Sequence, residues 1–568
     1  MKVGIGKVPV KISRQNLPLY GYPIVGNYSE GIEMDLHARA FIFKSDDKTI
    51  ALINLESGFI SHHLKKALIQ KCNDNLPESD LKMENLMLCA QNTHSAPGGH
   101  SHYAFHNITS RGFRPDVFEC YVNACFEAIR MAINNIEPCH LYFNADEIDQ
   151  ETDIGFNRSI EAYNQNPDVL KQDEMNTHIA INRMMRQVRI CTDRNSDKGL
   201  INWFGVQANS ISDKNTRVHS DNKGYAASML ENDQSTSENF IAAFCQEASA
   251  DISPNYYGRA KWWPRGRYED DFKSAYSNGF FHFEKARSLM EKEEFQIPLS
   301  SNIEYFHAFF DLSAIDCHPR YTHDGLSHST GPACLGKAFM EGSSPDIEGV
   351  DAFSSSFFQV LIQMKELWNQ LPFISNAEER ARWNKLKENQ YPKKILVELQ
   401  QKRILGYRKL NKLTLPKVLS DISEEIIRQY NNGALKEHSW TPVILPLQIF
   451  RIGEIAILGF PGDLSTTAGE RLRRTVLEIL EPSGILDVII STYSNEHAGY
   501  ATTREEYMEQ TFEGGFTLFG QHTLAGFQTC FGMIAKKITT NEAVSIKQIE
   551  PPDFSEEELL RRTFRKKN

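Results

Sequence analysis

Five short apolar runs, each stopping abruptly at polar residues, set the tightest limit on what this chain can fold into. "NLMLCA" leads into Gln91, Asn92, Thr93 and His94, and "LINWFGV" into Gln207, Ala208, Asn209 and Ser210. "FIAAFC" leads into Gln246 and Glu247, then Asp251, Ile252, Ser253, Pro254 and Asn255. "EIAILGF" leads into Pro461, Gly462 and Asp463, and "ILDVII" into the Ser491–Asn495 stretch and on to Tyr500. Runs this short, apolar on both faces, read as buried strands. Their polar C-terminal ends are expected to open onto one rim, where α/β proteins build their sites; five unrelated loops is the alternative.

Between these runs lie stretches of helical periodicity such as "FECYVNACFEAIRMAINNI", so the fold class reads as mixed α/β, with buried central sheets flanked by helices. The candidate breaks are Cys191–Gly199, Ser220–Asn239 and the charged helical region Ala377–Lys412, none of them rich enough in Gly, Ser or Pro to be a true interdomain linker. The reading is one domain over residues 1–550 and a charged tail over 551–568, with "LLRRTFRKKN" solvated.

The formal charge of −11 argues against a non-specific nucleic-acid binder. No run has the length of a membrane span and the N-terminus lacks the apolar core of a signal peptide, so a cytoplasmic location is expected. Ten cysteines without CxxC pairs fit reduced, mostly buried thiols.

There is no G-x-S-x-G elbow, no H-E-x-x-H helix, no P-loop and no G-x-G-x-x-G. The stretch "LMLCAQNTHSAPGGHSHYAFH" holds four histidines in thirteen residues, His94 to His106. His100 and His102 would share a face if extended and could bind zinc, although such pairs are common without a metal.

Read in order, "NTHSAPGG", "ITSRGF", "FNRSIEAYNQNP", "WFGVQANSIS", "SDNKGYAA", "ADISPN", "LGFPGDLSTTAGERLRR" and "GYATTREEYMEQTFEGGFTLFGQHTL" resemble the neutral/alkaline ceramidase family over most of the chain, to about residue 545. The resemblance implies a mixed α/β catalytic domain that hydrolyses the amide of N-acyl-sphingosine or runs in reverse. The immunoglobulin-like domain that follows it in the family is expected to be absent here, as is the family's secretion or membrane targeting. The resemblance also implies a catalytic serine at Ser253, a substrate-site arginine at Arg158 and a site histidine at His94. Asp251 and Asn255 flank the serine as substrate-side residues.

The family's zinc is held by two histidines, a glutamate and a tyrosine, and these fall on Asn92, Gln207, Asp463 and Tyr500. A further tyrosine falls on Phe512. Carboxamide oxygens are weak ligands for zinc, and Asp is one methylene shorter than Glu, so a metal-free cluster is expected. Weak Mg²⁺ or Ca²⁺ binding, or a substitute zinc site from His94, His100, His102, His219 or His497, stays open. Without zinc, Ser253 would act as nucleophile with His94 as base, while Arg158, the Asn92 and Gln207 amides and backbone N–H groups near "ADISPN" polarise the carbonyl, with Tyr500 a further catalytic candidate. That chemistry suits an N-acyl amide or an activated donor such as an acyl thioester. The alternative is a silent homologue that binds a lipid or amide ligand. Each residue also has a plain structural role available. Ser253 could cap a turn and His94 could be a satisfied rim histidine. Arg158 could be an ion-pair partner, Asp463 could start a helix already boxed by Thr467 and Glu470, and Tyr500 and Gln207 could simply pack.

Overall fold

In the strand His37–Lys44, Ala38, Ala40 and Ile42 face one core and Phe41 and Phe43 another, because successive side chains alternate across a strand. Both faces of this sheet are therefore covered, and the same holds along most of its length. The computed structural model describes residues 1–13, 15–194, 196–259, 264–292, 296–371, 376–410, 421–539 and 546–564.

The large sheet runs, in spatial order, through Ile241–Gln246, Asp197–Phe204, Met184–Thr192, Glu137–Glu147, Lys2–Pro9, His37–Lys44, Thr49–Leu55 and Leu86–Ala90, with Ile297–Leu299 branching from Glu137–Glu147. A second sheet orders Ile303–Asp311, Ile444–Ile452, Ile455–Gly459 and Asp487–Ser491. The sheets stack on each other: Val3, Ile5, Phe41, Trp203 and Ala243 of the first pack with Phe450, Ile457 and Ile489 of the second. Helices close the outer faces, His62–Asn75 and Pro115–Asn134 over the first sheet, Thr466–Leu480 and Thr523–Thr539 over the second. Asp221–Glu231 and Asp271–Glu291 cover the first sheet's Ile241–Gln246 end. A large side chain such as Trp203 buried in this way contributes about 1.5–3 kcal/mol.

The helix predicted around residues 118–136 spans Pro115–Asn134 and buries Val117, Tyr121, Cys125, Ala128 and Ala132 at helical spacing. It lies so close to the first strand that a Cβ on Gly4 would sit 2.0 Å from Ala132 O, and one on Gly6 2.1 Å from Ala128 O. Only glycine permits that approach.

The five apolar runs are all strands, and three of the pairings they make are parallel. Their C-terminal ends meet at one rim. Ala90 N donates to Tyr493 O, His94 N to Ala208 O, Thr492 N to Gln246 O and Tyr493 N to Gly462 O.

Three expectations need correction. Ser220–Asn239 is no break, because Asp221–Glu231 is a helix whose Asp221, Asn222 and Lys223 are buried. The expected capping box of Thr467 and Glu470 is not the helix start; the N-cap is Ser465, and the Thr466 N–H donates to Asp251 Oδ1 at 2.8 Å. The C-terminal segment is not solvated where it is described. Glu556–Arg562 is a helix, Phe554 packs between His63 and Tyr103, and buried Arg562 donates to His102 O at 2.6 Å and to Glu558 at 2.6 Å. Residues 565–568 of that basic stretch, and 411–412 of the charged helical region, lie outside the described residues.

Candidate active site

The rim holds two side-chain clusters. The first gathers the four positions where zinc ligands were expected. Asn92 adopts a left-handed backbone, φ 66°, that asparagine tolerates better than most residues. From there its Nδ2 donates to Gln207 Oε1 at 2.5 Å and to the Tyr493 hydroxyl at 2.9 Å. Gln207 Nε2 passes the chain on to Asp463 Oδ2 at 3.0 Å and to Ser249 O at 3.1 Å. Asp463 accepts further from Ser249 Oγ at 2.8 Å, from Tyr493 at 3.1 Å and from the Ser249 and Leu464 backbone N–H groups. Tyr500 lies beside Asp463 through a parallel pairing of two-residue strands. Burial raises the Asp463 carboxyl to about 7 and pushes the Tyr500 phenol up. Asp463 thus belongs to this hydrogen-bonded cluster and does not cap the helix that follows, whose N-cap is Ser465.

These donors do not suit a borderline-soft cation. Two carboxamides and one short carboxylate replace the imidazoles and glutamate, and the amides spend their hydrogens on one another and on Asp463. Nor do the other histidines gather. His100 Nε2 is engaged with Phe59 O at 2.9 Å, His102 stacks on His63, the His219 Nδ1 accepts from Asp221 N at 2.8 Å, and His497 stacks on Tyr493. Among the described residues, the groups of three His, Cys, Asp or Glu ligand atoms lying within 4.8 Å of one another are His323–Asp324–His328 and Glu437–His438–Glu558, both outside this rim.

The second cluster is ionic. Ile252–Ser253 pairs with Phe156–Asn157, which brings Arg158 beside the serine. Ser253 Oγ donates to Asp346 Oδ1 at 2.6 Å and accepts from Asn255 N at 3.0 Å. Asp346 also receives Arg158 Nη1 at 2.8 Å and Asn255 Nδ2 at 2.7 Å. Arg158 Nε reaches Glu513 Oε1 at 3.0 Å, its Nη2 donates to Ala250 O at 2.7 Å, and its guanidinium lies over the Phe512 ring, 5.4 Å from the centroid. Burial opposes the Arg158 charge, but Glu513 and Asp346 outweigh it and hold the guanidinium protonated.

The sequence expectations divide here. Ser253 and Arg158 do meet. His94 does not reach the serine: the hydroxyl is bonded to Asp346, while the His94 ring packs edge-on against Tyr22 and its buried Nδ1 has no partner. Gly21 makes room for that ring, since a Cβ there would fall 2.4 Å from His94 Cγ. Burial lowers the imidazole to about 4. The Asn92 and Gln207 amides are not free to polarise a carbonyl. Asp251 organises the rim: its carboxylate accepts from Asn157 Nδ2 at 2.8 Å and from the Thr466 N–H and hydroxyl at the start of the Thr466–Leu480 helix. Burial and the Glu506 and Glu513 charges raise it to about 8. Phe512 stacks on Phe339 and fills the place of the expected hydroxyl.

Asp346, Glu513, Tyr493 and Ser249 were missed. Asp346 follows a Ser-Pro pair in a loop with no motif around it, whereas Tyr493 lies in the polar end of the fifth run and Glu513 adjoins Phe512. Ser253 has no exposed surface, and His94, Tyr500, Phe512 and Phe516 keep only 7–9 % of theirs.

The comparisons with known proteins agree with this architecture. The sequence model described as neutral/alkaline non-lysosomal ceramidase, N-terminal, matches residues 1–412 and 422–529. A neutral ceramidase of Pseudomonas aeruginosa is 28% identical over 554 residues, covering 97% of this chain and 74% of that protein. One from Mycobacterium tuberculosis is 26% identical over 559 residues, covering 96% and 78%. A solved ceramidase "complexed with C2" superposes with a TM-score of 0.79 at 27% identity, over 97% of this chain and 77% of that one. The crystal structure of neutral ceramidase from P. aeruginosa gives 0.76 at 26% identity, over 97% and 76%.

Proposed function

Because the chain belongs to the neutral/alkaline ceramidase family, we propose that it is an acyl-transfer enzyme that cleaves an N-acyl amide or forms one from an activated acyl donor, through Ser253 and without zinc. The observation that carries this reading is the pairing of Ser253 Oγ with the buried Asp346 carboxylate beside Arg158. Water is a weak nucleophile without a metal, whereas a serine with a carboxylate on its hydroxyl is a better one. Two carboxylates share one guanidinium, so the cluster keeps surplus negative charge with which to accept a proton.

In this reading Ser253 Oγ attacks the acyl carbonyl carbon and its proton passes to Asp346, the role expected of His94. The tetrahedral oxyanion is met by the protonated Tyr500 hydroxyl and the Arg158 charge. Collapse breaks the bond to the leaving thiolate, alcohol or amine, which takes the proton back. An amine or water then attacks acyl-Ser253, releasing an amide or a carboxylic acid and restoring the hydroxyl. Ten free thiols, nine of them buried, support a reducing compartment. No described helix is long and apolar enough to cross a membrane.

The closed site and the lost hydroxyl at Phe512 favour a second reading, a silent homologue that binds a lipid or amide ligand. Intact-mass spectrometry after exposure to acyl thioesters and N-acyl amides separates the two. An acyl adduct on Ser253, lost in Ser253→Ala, is the expected result; no adduct with any donor, alongside tight binding of an N-acyl amide, would favour the silent reading. One tightly held zinc per chain, lost in Asp463→Asn, would overturn the metal-free chemistry.

A further inference from the structure

On the far side of the second sheet's helices, strands Asp316–Cys317 and His328–Ser329 form a short hairpin whose loop carries "THDGLSH". The turn at Asp324 and Gly325 folds His323 and His328 back over one carboxylate. His328 Nε2 lies 2.9 Å from Asp324 Oδ2 and 3.0 Å from Oδ1, and His323 Nε2 lies 3.8 Å from Oδ2. All three ligand atoms fall within 4.8 Å of one another. Zinc bonds of about 2.0–2.1 Å set the edge of a coordination tetrahedron at roughly 3.4 Å, so these separations straddle the value a bound ion would impose.

A fourth imidazole adjoins the group. His522, just before the Thr523–Thr539 helix, stacks on His328 with centroids 4.3 Å apart and planes 8° apart, and lies 6.0 Å from the His323 ring. Beside the rings opens a cavity of about 210 Å³ bounded by Tyr321, Arg471, Arg504 and His522, which gives an ion room for water as a further ligand.

The geometry points to a surface site for a borderline divalent cation of the zinc class, held by His323, Asp324 and His328 with water completing the shell. Two imidazoles and a carboxylate select zinc, cobalt or nickel over magnesium and calcium, which prefer all-oxygen shells. The second cluster found, Glu437, His438 and Glu558, does not offer the same vacancy of charge, because Glu558 is spent on Arg562 and Glu437 on Arg561.

The test is titration calorimetry of the whole protein, stripped with chelator, with Zn²⁺ and separately with Mg²⁺, alongside thermal unfolding. One zinc per chain is expected, with no heat from Mg²⁺ and a raised Tm. Affinity should fall at least 100-fold in His323→Ala/His328→Ala, and to a similar extent in Asp324→Asn, while acyl transfer stays unchanged in both. Zinc uptake that is equal in wild type and both variants, or lost instead in Asp463→Asn, would overturn the assignment, as would no zinc uptake by the wild type.

Discussion

The two clusters on the rim are equally buried and differ in how they are satisfied. The Asn92–Gln207–Asp463–Tyr493 cluster is a chain of neutral donors ending on one carboxylate, and each member's hydrogens go to the next. The Ser253–Arg158–Asp346–Glu513 cluster is held by full charges with side chains at most 2 % exposed. A network of amides can close on itself because each amide is both donor and acceptor. An ion cluster cannot, since removing one partner strands the others. The first therefore reads as a site that has settled into structure, and the second as one that still holds reactive groups in place.

That contrast can be broken at four points. Asp346→Asn removes the proton acceptor proposed for Ser253 and should lower the acylation rate by about 10²–10⁴-fold with the fold intact by circular dichroism; an unchanged rate would return His94 to that role. Arg158→Met leaves Asp346 and Glu513 buried without a counter-charge, and urea unfolding should show a loss of about 3–5 kcal/mol. Asp463, raised by burial to about 7, favours its protonated form in the folded state. Its contribution to stability is therefore full below pH 4 and is lost as pH rises from about 4 to 7, by at most about 4 kcal/mol. Asp463→Asn should flatten that part of the stability–pH curve, and a slope identical to wild type would show that the carboxyl ionises freely. Gln207→Leu, in the neutral network, should cost the least, about 1–3 kcal/mol, for the unpaired Asn92 and Asp463 groups. A larger loss there than for Arg158→Met would reverse the comparison.

How much of this was legible varied residue by residue. The apolar runs announced the strands because burial on both faces leaves a continuous hydrophobic signature, and their polar ends announced the rim. The resemblance brought Asn92, Gln207, Asp463 and Tyr500 to one place, and the structure assembles them there. Tyr493 was in view but had no assigned role, because nothing local distinguishes a rim tyrosine that bonds a carboxylate from one that packs. The capping of the Thr466–Leu480 helix was misplaced for the same reason: Asp251, 215 residues away, supplies the acceptor a local box would have supplied.

By itself the sequence determined the class of fold, the family, and the poverty of the donor set at the zinc positions, since each depends on residue type and local period. Only the tertiary structure decided which side chain meets the Ser253 hydroxyl. Asp346 and the serine are 93 residues apart, and His94 was set aside by its packing against Tyr22 and Gly21. It also turned the charged C-terminal stretch into a docked helix, because Arg562 finds Glu558 on its own face and a carbonyl at His102. Hydrophobic periodicity sets what is buried; which polar group finds which is settled by packing across the chain, where no local pattern reaches.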